Sequence, residues 1–362
     1  MTAHKKKCLM IMAGGTGGHI YPALAVAELW RRGGDEVIWL GTRTGMESRL
    51  VPEAGIGVEW ISIHGLRGKG IISLLLAPFH LSRAIAQSIG AIWRIKPDVV
   101  LGMGGFVAGP GGVAAWIMRR PLVIHEQNAV AGLTNRLLST VSRRVLEAFP
   151  GTFGPGKKVV QTGNPLRSRL MDMEIASSHN PLRLLVLGGS LGAQRINQLI
   201  PEMISMLLPE ERLEIYHQTG ESNLKDTELE YIKHGVVFDS GENSRVVAYI
   251  ENMQEAYQWS DLVLCRAGAM TVSELAMVGR PAILVPFPFA VDDHQTANGN
   301  FLQSDDAALL VQQRDLDGER LLGMIREFIQ HPGMISEMGE KARELSRPEA
   351  AADVVSICKE LC

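Results

Sequence analysis

Short apolar runs alternate with helical patterns along the whole chain: "CLMIMA", "EVIWLG", "VVLGMGG", "PLVIHEQ", then "RLLVLGG", "EIYHQTG", "DLVLCRAG" and "PAILVPFP". Strands that are apolar on both faces and separated by helices have to lie side by side in a parallel sheet with crossover helices covering it. Two of these units resemble each other. "CLMIMAGGTGGH" and "RLLVLGGSLGAQ" both run from strand through glycines into a helix, matching Gly14, Gly15, Thr16 and Gly18 to Gly188, Gly189, Ser190 and Gly192. The expectation is an α/β chain of two Rossmann-like domains. The boundary falls near "QTGNPLRSRL", where Gly163-Asn164-Pro165 interrupts the pattern, giving domains at 1–164 and 165–344. The last helix, about 345–362, is expected to pack back on the first domain.

A length of 362 residues, 46% of them hydrophobic, suffices for two cores of ordinary size. The 36 Lys+Arg nearly balance the 39 Asp+Glu, so bulk charge gives no reason to expect a nucleic-acid partner. Cys8, Cys265, Cys358 and Cys362 form no C-x-x-C pair and read as buried or terminal thiols in a reducing cytoplasm. The apolar run after the N-terminal lysines is too short for a signal peptide. The longest apolar stretch, Ile71 to Ile95, is interrupted by Pro78, His80, Arg83 and Gln87, so a soluble or at most peripheral protein is expected.

A strand that passes through glycines into a helix leaves backbone N–H groups pointing outward at the positive end of the helix dipole, a natural seat for phosphate. An empty tight turn is the plainer alternative, but two such turns at matching places favour a ligand. A dinucleotide fits poorly. The pattern G-x-G-x-x-G begun at Gly15 ends on Ile20, and the next strand runs into Gly41-Thr42-Arg43 instead of an acidic residue for a ribose. No Walker lysine is present either, which leaves a diphosphate of another kind.

In "CRAGAMTVSELAMVGRPAILVP" a strand should end at Cys265 and a helix begin near Thr271, with Glu274 in its first turn. A glutamate there ordinarily serves the helix dipole, worth roughly 0.5 kcal/mol; beside a phosphate turn it could also accept from sugar hydroxyls. The only Asp-x-Asp, Asp315-Leu316-Asp317, precedes a helical pattern and reads as an N-cap, so no protein-held metal is expected.

The motifs "GGTGGH", "GLRGKG", "GMGGFVAGPGG", "HEQNAVAGLTN", "TGNPLR", "GGSLGAQ", "CRAGAMTVSE" and "DDHQTANG", in this order, closely resemble those of the MurG family, the bacterial peptidoglycan N-acetylglucosaminyltransferases. The resemblance spans essentially the whole chain. It implies a GT-B fold, two Rossmann-like domains with parallel sheets facing across a deep cleft. It also implies inverting transfer of N-acetylglucosamine from UDP-N-acetylglucosamine to the C4 hydroxyl of the N-acetylmuramic acid of lipid I, giving lipid II and UDP. The donor would lie mainly on the C-terminal domain and the lipid-linked acceptor on the N-terminal one. The donor positions carried over are Thr16, Gly17, Gly18, Asn128, Arg167, Ser190, Ile250, Ala269, Met270, Thr271, Val272, Ser273, Glu274 and Gln295. Ile250 would meet uracil through its backbone and Glu274 the ribose. UDP-N-acetylglucosamine is then a substrate, and no separate cofactor is implied. The setting is the cytoplasmic face of the bacterial inner membrane, with an anionic membrane surface and the cell-wall synthesis machinery as candidate partners.

Displacement at the anomeric carbon needs a base for the attacking hydroxyl and stabilisation of the departing diphosphate. Helix N-termini can supply the second. His19 is the candidate for the first, because the ordinary pKa of histidine lies near neutrality; the alternative is that it only binds phosphate or caps the helix. Glu126 in "HEQN" is the rival base, or else a buried carboxylate orienting backbone amides. For membrane docking the candidates are Leu74, Leu75, Leu76, Phe79 and Arg83, against the alternative of an ordinary core helix. A UDP-sugar epimerase of the same architecture and a silent sugar-nucleotide-binding module are the competing functions.

Overall fold

The computed structural model describes residues 6–63, 71–166, 170, 173, 178–189, 192–208, 210–236 and 244–362, the side chains of 71–75 excepted. The chain forms two units, Met1–Arg167 together with Arg347–Cys362, and Ser168–Ser346.

In the first unit, β1 (Cys8–Met12), β2 (Glu36–Gly41), β3 (Gly57–Trp60), β4 (Val99–Gly102), β5 (Leu122–Glu126), β6 (Arg144–Glu147) and β7 (Val159–Gln161) pair in parallel in the order β3-β2-β1-β4-β5-β6-β7. The crossovers carry α1 (Gly17–Arg32), α2 (Glu47–Glu53), α3 (Ile71–Ile95), α4 (Ala108–Ile117) and α5 (Leu133–Val141). The central strands are the most apolar because helices cover both faces: Leu9 to Met12, Val99 to Leu101 and Leu122 to Ile124 are all buried.

The second unit repeats the plan. Strands β8 (Leu182–Leu187), β9 (Leu213–Gln218), β10 (Arg245–Val247), β11 (Leu262–Cys265), β12 (Ala282–Leu284) and β13 (Ala308–Leu310) take the order β10-β9-β8-β11-β12-β13. Its helices are α6 (Gln194–Ser205), α7 (Leu224–Lys233), α8 (Met253–Trp259), α9 (Ala269–Val278), α10 (His294–Gln303), α11 (Gly318–Gln330) and α12 (Gly333–Glu344). Asp317 caps α11, its Oδ1 accepting from Arg320 N at 2.8 Å. The chain then returns to the first unit as α13 (Ala350–Lys359), which buries Val354, Val355 and Cys358 against α1 and pairs Lys359 with Asp35 at 3.0 Å.

Both sheets reverse their strand order at one place, β1/β4 and β8/β11. In open α/β sheets ligands bind outside the carboxyl ends of the strands at such a switch point. The two glycine motifs leave β1 and β8 at these ends.

The second core holds a polar cluster that ties stability to pH. His217, fully buried on β9, faces the Tyr231 hydroxyl through Nδ1 (2.9 Å) and Asn197 Oδ1 through Nε2 (3.1 Å). Burial lowers its pKa from 6.5 to about 3. The unfolded chain therefore binds the proton first, and this part of the stability is complete above pH 6.5 and is lost as pH falls from about 6.5 toward 3. Below 6.5 the loss approaches about 1.4 kcal/mol per pH unit. His217→Gln should flatten the decline in denaturation midpoint between about pH 6.5 and 5. An unchanged slope would assign the acid sensitivity to other groups.

Candidate functional site

The turn after β1 is held from below by a carboxylate that its sequence neighbourhood does not announce. Glu47, at the start of α2 and fully buried, accepts from Gly15 N (3.1 Å), Thr42 N (3.1 Å) and Thr42 Oγ1 (2.7 Å). The Gly15 amide thus turns inward, and the turn presents the first turn of α1 instead. Thr16 is the N-cap in extended conformation, and Gly17 and Gly18 follow in the turn whose amides precede the helix's own ladder. The turn after β4 closes over it. Gly105 adopts φ +78°, and a Cβ there would stand 2.1 Å from Gly14 O.

His19, in the first turn of α1, is half-buried with Nδ1 3.1 Å from Gln127 Oε1. Behind it the Gln127 amide donates to Met103 O (2.9 Å) and lies 3.2 Å from His125 Nδ1, while His125 Nε2 reaches Gly163 O at 2.9 Å. His125 is fully buried, and burial lowers its pKa to about 4. Glu126 is engaged differently. Its carboxylate accepts from Asn128 N (3.1 Å), Asn128 Nδ2 (3.2 Å), Gly132 N (3.1 Å) and Asn135 Nδ2 (2.9 Å), and so shapes the loop that carries Asn128.

In the second unit a cavity of about 470 Å³ lies at the ends of β8 and β11. Gly188, Gly189 and Gly192 line it together with Thr271, Glu274 and Gln295. The helix α9 starts at Ala269, two residues before the expected Thr271, because Gly268 takes the extended cap conformation and the alanine continues into the helix. Glu274 therefore sits in the second turn and is not a partner of the helix dipole. Its Oε2 accepts instead from the buried Tyr257 hydroxyl at 2.9 Å. Of the neighbouring candidates, Ala269 and Val272 are buried, whereas Met270 and Ser273 are half-buried. Ile250 is buried and its N–H donates to Gln218 Oε1 (2.9 Å); Gln295 Oε1 accepts from Phe287 N (2.9 Å). Arg167 and Ser190 lie outside the described residues. A larger cavity of about 670 Å³ lies among β13, α11 and α12, but it has no glycine turn and its Lys341 is paired with Glu337 at 3.0 Å.

Helix α3 divides its faces. Ala84, Ser88, Ala91 and Ile92 are buried, and Ile89 packs on the same core. Phe79 and Leu76 stand 66% and 48% exposed, with Arg83 also in solvent. The side chains of Leu74 and Leu75 lie outside the described residues. Arg94 is paired with Glu59 at 2.6 Å. No helix among the described residues is long and apolar enough to cross a membrane.

Sequence reasoning left out Glu47, Gln127 and Tyr257. Of these only Gln127 carried a signal, as the residue between two candidates in "HEQN".

Two parallel α/β sheets, each with a glycine turn at its switch point, give the chain the GT-B fold. The model of the glycosyltransferase family 28 N-terminal domain matches residues 9–147, and that of the C-terminal domain matches 183–354. The chain is 49% identical to the UDP-N-acetylglucosamine--N-acetylmuramyl-(pentapeptide) pyrophosphoryl-undecaprenol N-acetylglucosamine transferase of Marinobacter nauticus, over 99% of both chains. It is 48% identical to the enzyme of that name from Burkholderia lata, over 99% of this chain and 97% of that one. The crystal structure of Acinetobacter baumannii MurG superposes with a TM-score of 0.82 at 40% identity, covering 98% of this chain and 99% of that one. The chain belongs to glycosyltransferase family 28, within the MurG family. UDP-GlcNAc 2-epimerase from Neisseria meningitidis, at 16% identity and a TM-score of 0.67 (98% of this chain, 100% of that one), shares the fold alone.

Proposed function

We propose that this chain transfers N-acetylglucosamine from UDP-N-acetylglucosamine to the C4 hydroxyl of the muramic acid in lipid I, with inversion, producing lipid II and UDP. The observation that carries this reading is 49% identity over 99% of both chains to a transferase named for that reaction. The first unit serves the acceptor and the second holds most of the donor. His19 Nε2 takes the proton of the attacking hydroxyl as the oxygen bonds to the anomeric carbon and the bond to the diphosphate breaks. The departing negative charge is met by amides of the glycine turns and by the N-terminus of α9. Thr16, Gly17, Gly18 and Asn128 of the first unit, and Ile250 and Gln295 of the second, are the further donor positions that the resemblance implies. Glu126 is the weaker candidate base because four hydrogen bonds already hold its oxygens.

Incubation with UDP-N-acetylglucosamine tests the reading. UDP and a lipid-linked disaccharide should form only when lipid I is added. UDP-N-acetylmannosamine formed from the donor alone would make the chain an epimerase, and an unchanged donor with lipid I present would make it a binding module.

Glu274, with one oxygen fixed by Tyr257, presents its carboxylate to the ribose hydroxyls. Glu274→Ala should weaken UDP binding by roughly 1.5 to 3 kcal/mol, the worth of a charged hydrogen bond. Unchanged UDP affinity by calorimetry would place the ribose elsewhere.

The chain works at the cytoplasmic face of the membrane, docked through the exposed face of α3, where apolar Leu76 and Phe79 accompany the cation Arg83. Leu76→Glu with Phe79→Glu should abolish co-sedimentation with anionic vesicles at low salt while sparing UDP binding. Persisting co-sedimentation would move the docking surface elsewhere.

A further inference from the structure

We propose that Gln127 is a positioning residue that fixes the tautomer of His19, holding the proton on Nδ1 and leaving the Nε2 lone pair free as the base. The assignment follows from hydrogen-bond bookkeeping across five residues. A backbone carbonyl can only accept, so the Gln127 atom 2.9 Å from Met103 O is the amide nitrogen. The other terminal atom is then the carbonyl oxygen, also only an acceptor, and it lies 3.1 Å from His19 Nδ1. That nitrogen must carry the hydrogen. The second amide hydrogen points at His125 Nδ1, 3.2 Å away, which must therefore be a lone pair. The far end of the chain agrees independently. His125 Nε2 faces Gly163 O at 2.9 Å and needs a hydrogen there, so His125 is the Nε2–H tautomer. Two histidines joined through one glutamine thus hold opposite tautomers.

The arrangement is rigid where it matters. Gln127 and His125 are buried, and Gly104, at φ +96°, lets the backbone come so near the ring that a Cβ there would stand 2.6 Å from His19 Nδ1. An unrestrained neutral imidazole in water favours the Nε2–H form, in which the nitrogen proposed to meet the acceptor would be a donor and not a base. Gln127 reverses this preference without introducing a charge. The inference rests on the reading of His19 as the base, but the tautomer itself can be measured without reference to turnover.

The decisive experiment is nitrogen NMR of the full chain labelled with ¹⁵N-histidine, at a pH where His19 is neutral. Its Nδ1 should be the protonated, pyrrole-type nitrogen and its Nε2 the pyridine-type one, with the reverse pattern in His125. A protonated Nε2 on neutral His19 would overturn the proposal. Gln127→Met keeps the length and removes every hydrogen bond of the amide. In that variant His19 should shift toward the Nε2–H form and kcat should fall about 10- to 100-fold, less than the roughly 10⁴ that a fixed wrong tautomer costs a serine protease. The KM for UDP-N-acetylglucosamine should stay within about twofold, because the change acts on proton transfer and not on donor binding. An unchanged kcat with a shifted tautomer would refute the positioning role. If the variant does not fold, the wild-type spectrum still decides the tautomer. Should the spectrum agree while His19→Ala retains its turnover, the base assignment would fail and the tautomer lock would stand.

Discussion

His19→Ala should lower kcat by about 10² or more while leaving donor binding nearly unchanged. The ring sits in the first turn of α1, directly after the glycine turn. Alanine removes the favoured proton acceptor for the attacking hydroxyl. The amides proposed to receive the diphosphate belong to the backbone and survive the change, so the loss should appear in kcat and the KM for the donor should move little. Near-normal turnover would remove His19 from the chemistry and return Glu126 to consideration.

Gly105→Ala should be the most damaging single methyl group in the first unit. The new Cβ would meet Gly14 O at 2.1 Å and its carbonyl carbon at 2.8 Å, contacts that no rotamer can relieve because both partners are backbone. The position also has φ +78°, strained for any L side chain. Together these should cost about 3 to 5 kcal/mol, or roughly 10 °C in melting temperature for a unit of this size. Gly15→Ala is the matched control. It has φ +93° but nothing within 4 Å of its Cβ, leaving only the backbone strain of about 1 to 2 kcal/mol. Equal melting temperatures for the two variants would show that the turns after β1 and β4 do not hold each other.

Eight of the thirteen strands among the described residues were legible almost residue by residue, while β3, β6, β7, β10 and β13 were not among the runs that stood out. "EVIWLG" is β2 from Glu36 to Gly41, and the run that ends at Cys265 is β11. Runs buried on both faces leave a continuous apolar signature, and the glycines that end them mark where the backbone must turn. Helix starts were less legible: Gly-Ala-Met reads equally as turn or as helix, and α9 begins earlier than the small residues suggest. Least legible were the groups that hold the site's geometry. Glu47 looks like an ordinary charge in the first turn of a helix, yet it accepts from Gly15, far back in the sequence. Gln127 gains its meaning from His19, and Tyr257 from Glu274, and in neither case does spacing along the chain reveal the partner. Local patterns encode strands and turns; the side chains that set a site depend on which strands become neighbours.

The return of α13 to the first unit bears on the order in which the two bodies can be completed during synthesis. Trp30, Val26 and Ala27 share their core with Val354, Val355 and Cys358. Until those residues have been synthesised, the sheet that was translated first keeps part of its apolar surface uncovered. Among the described residues, the core cluster of the body from Ser168 to Ser346 is built from that body's own side chains. The body translated second can therefore close its core before the body translated first.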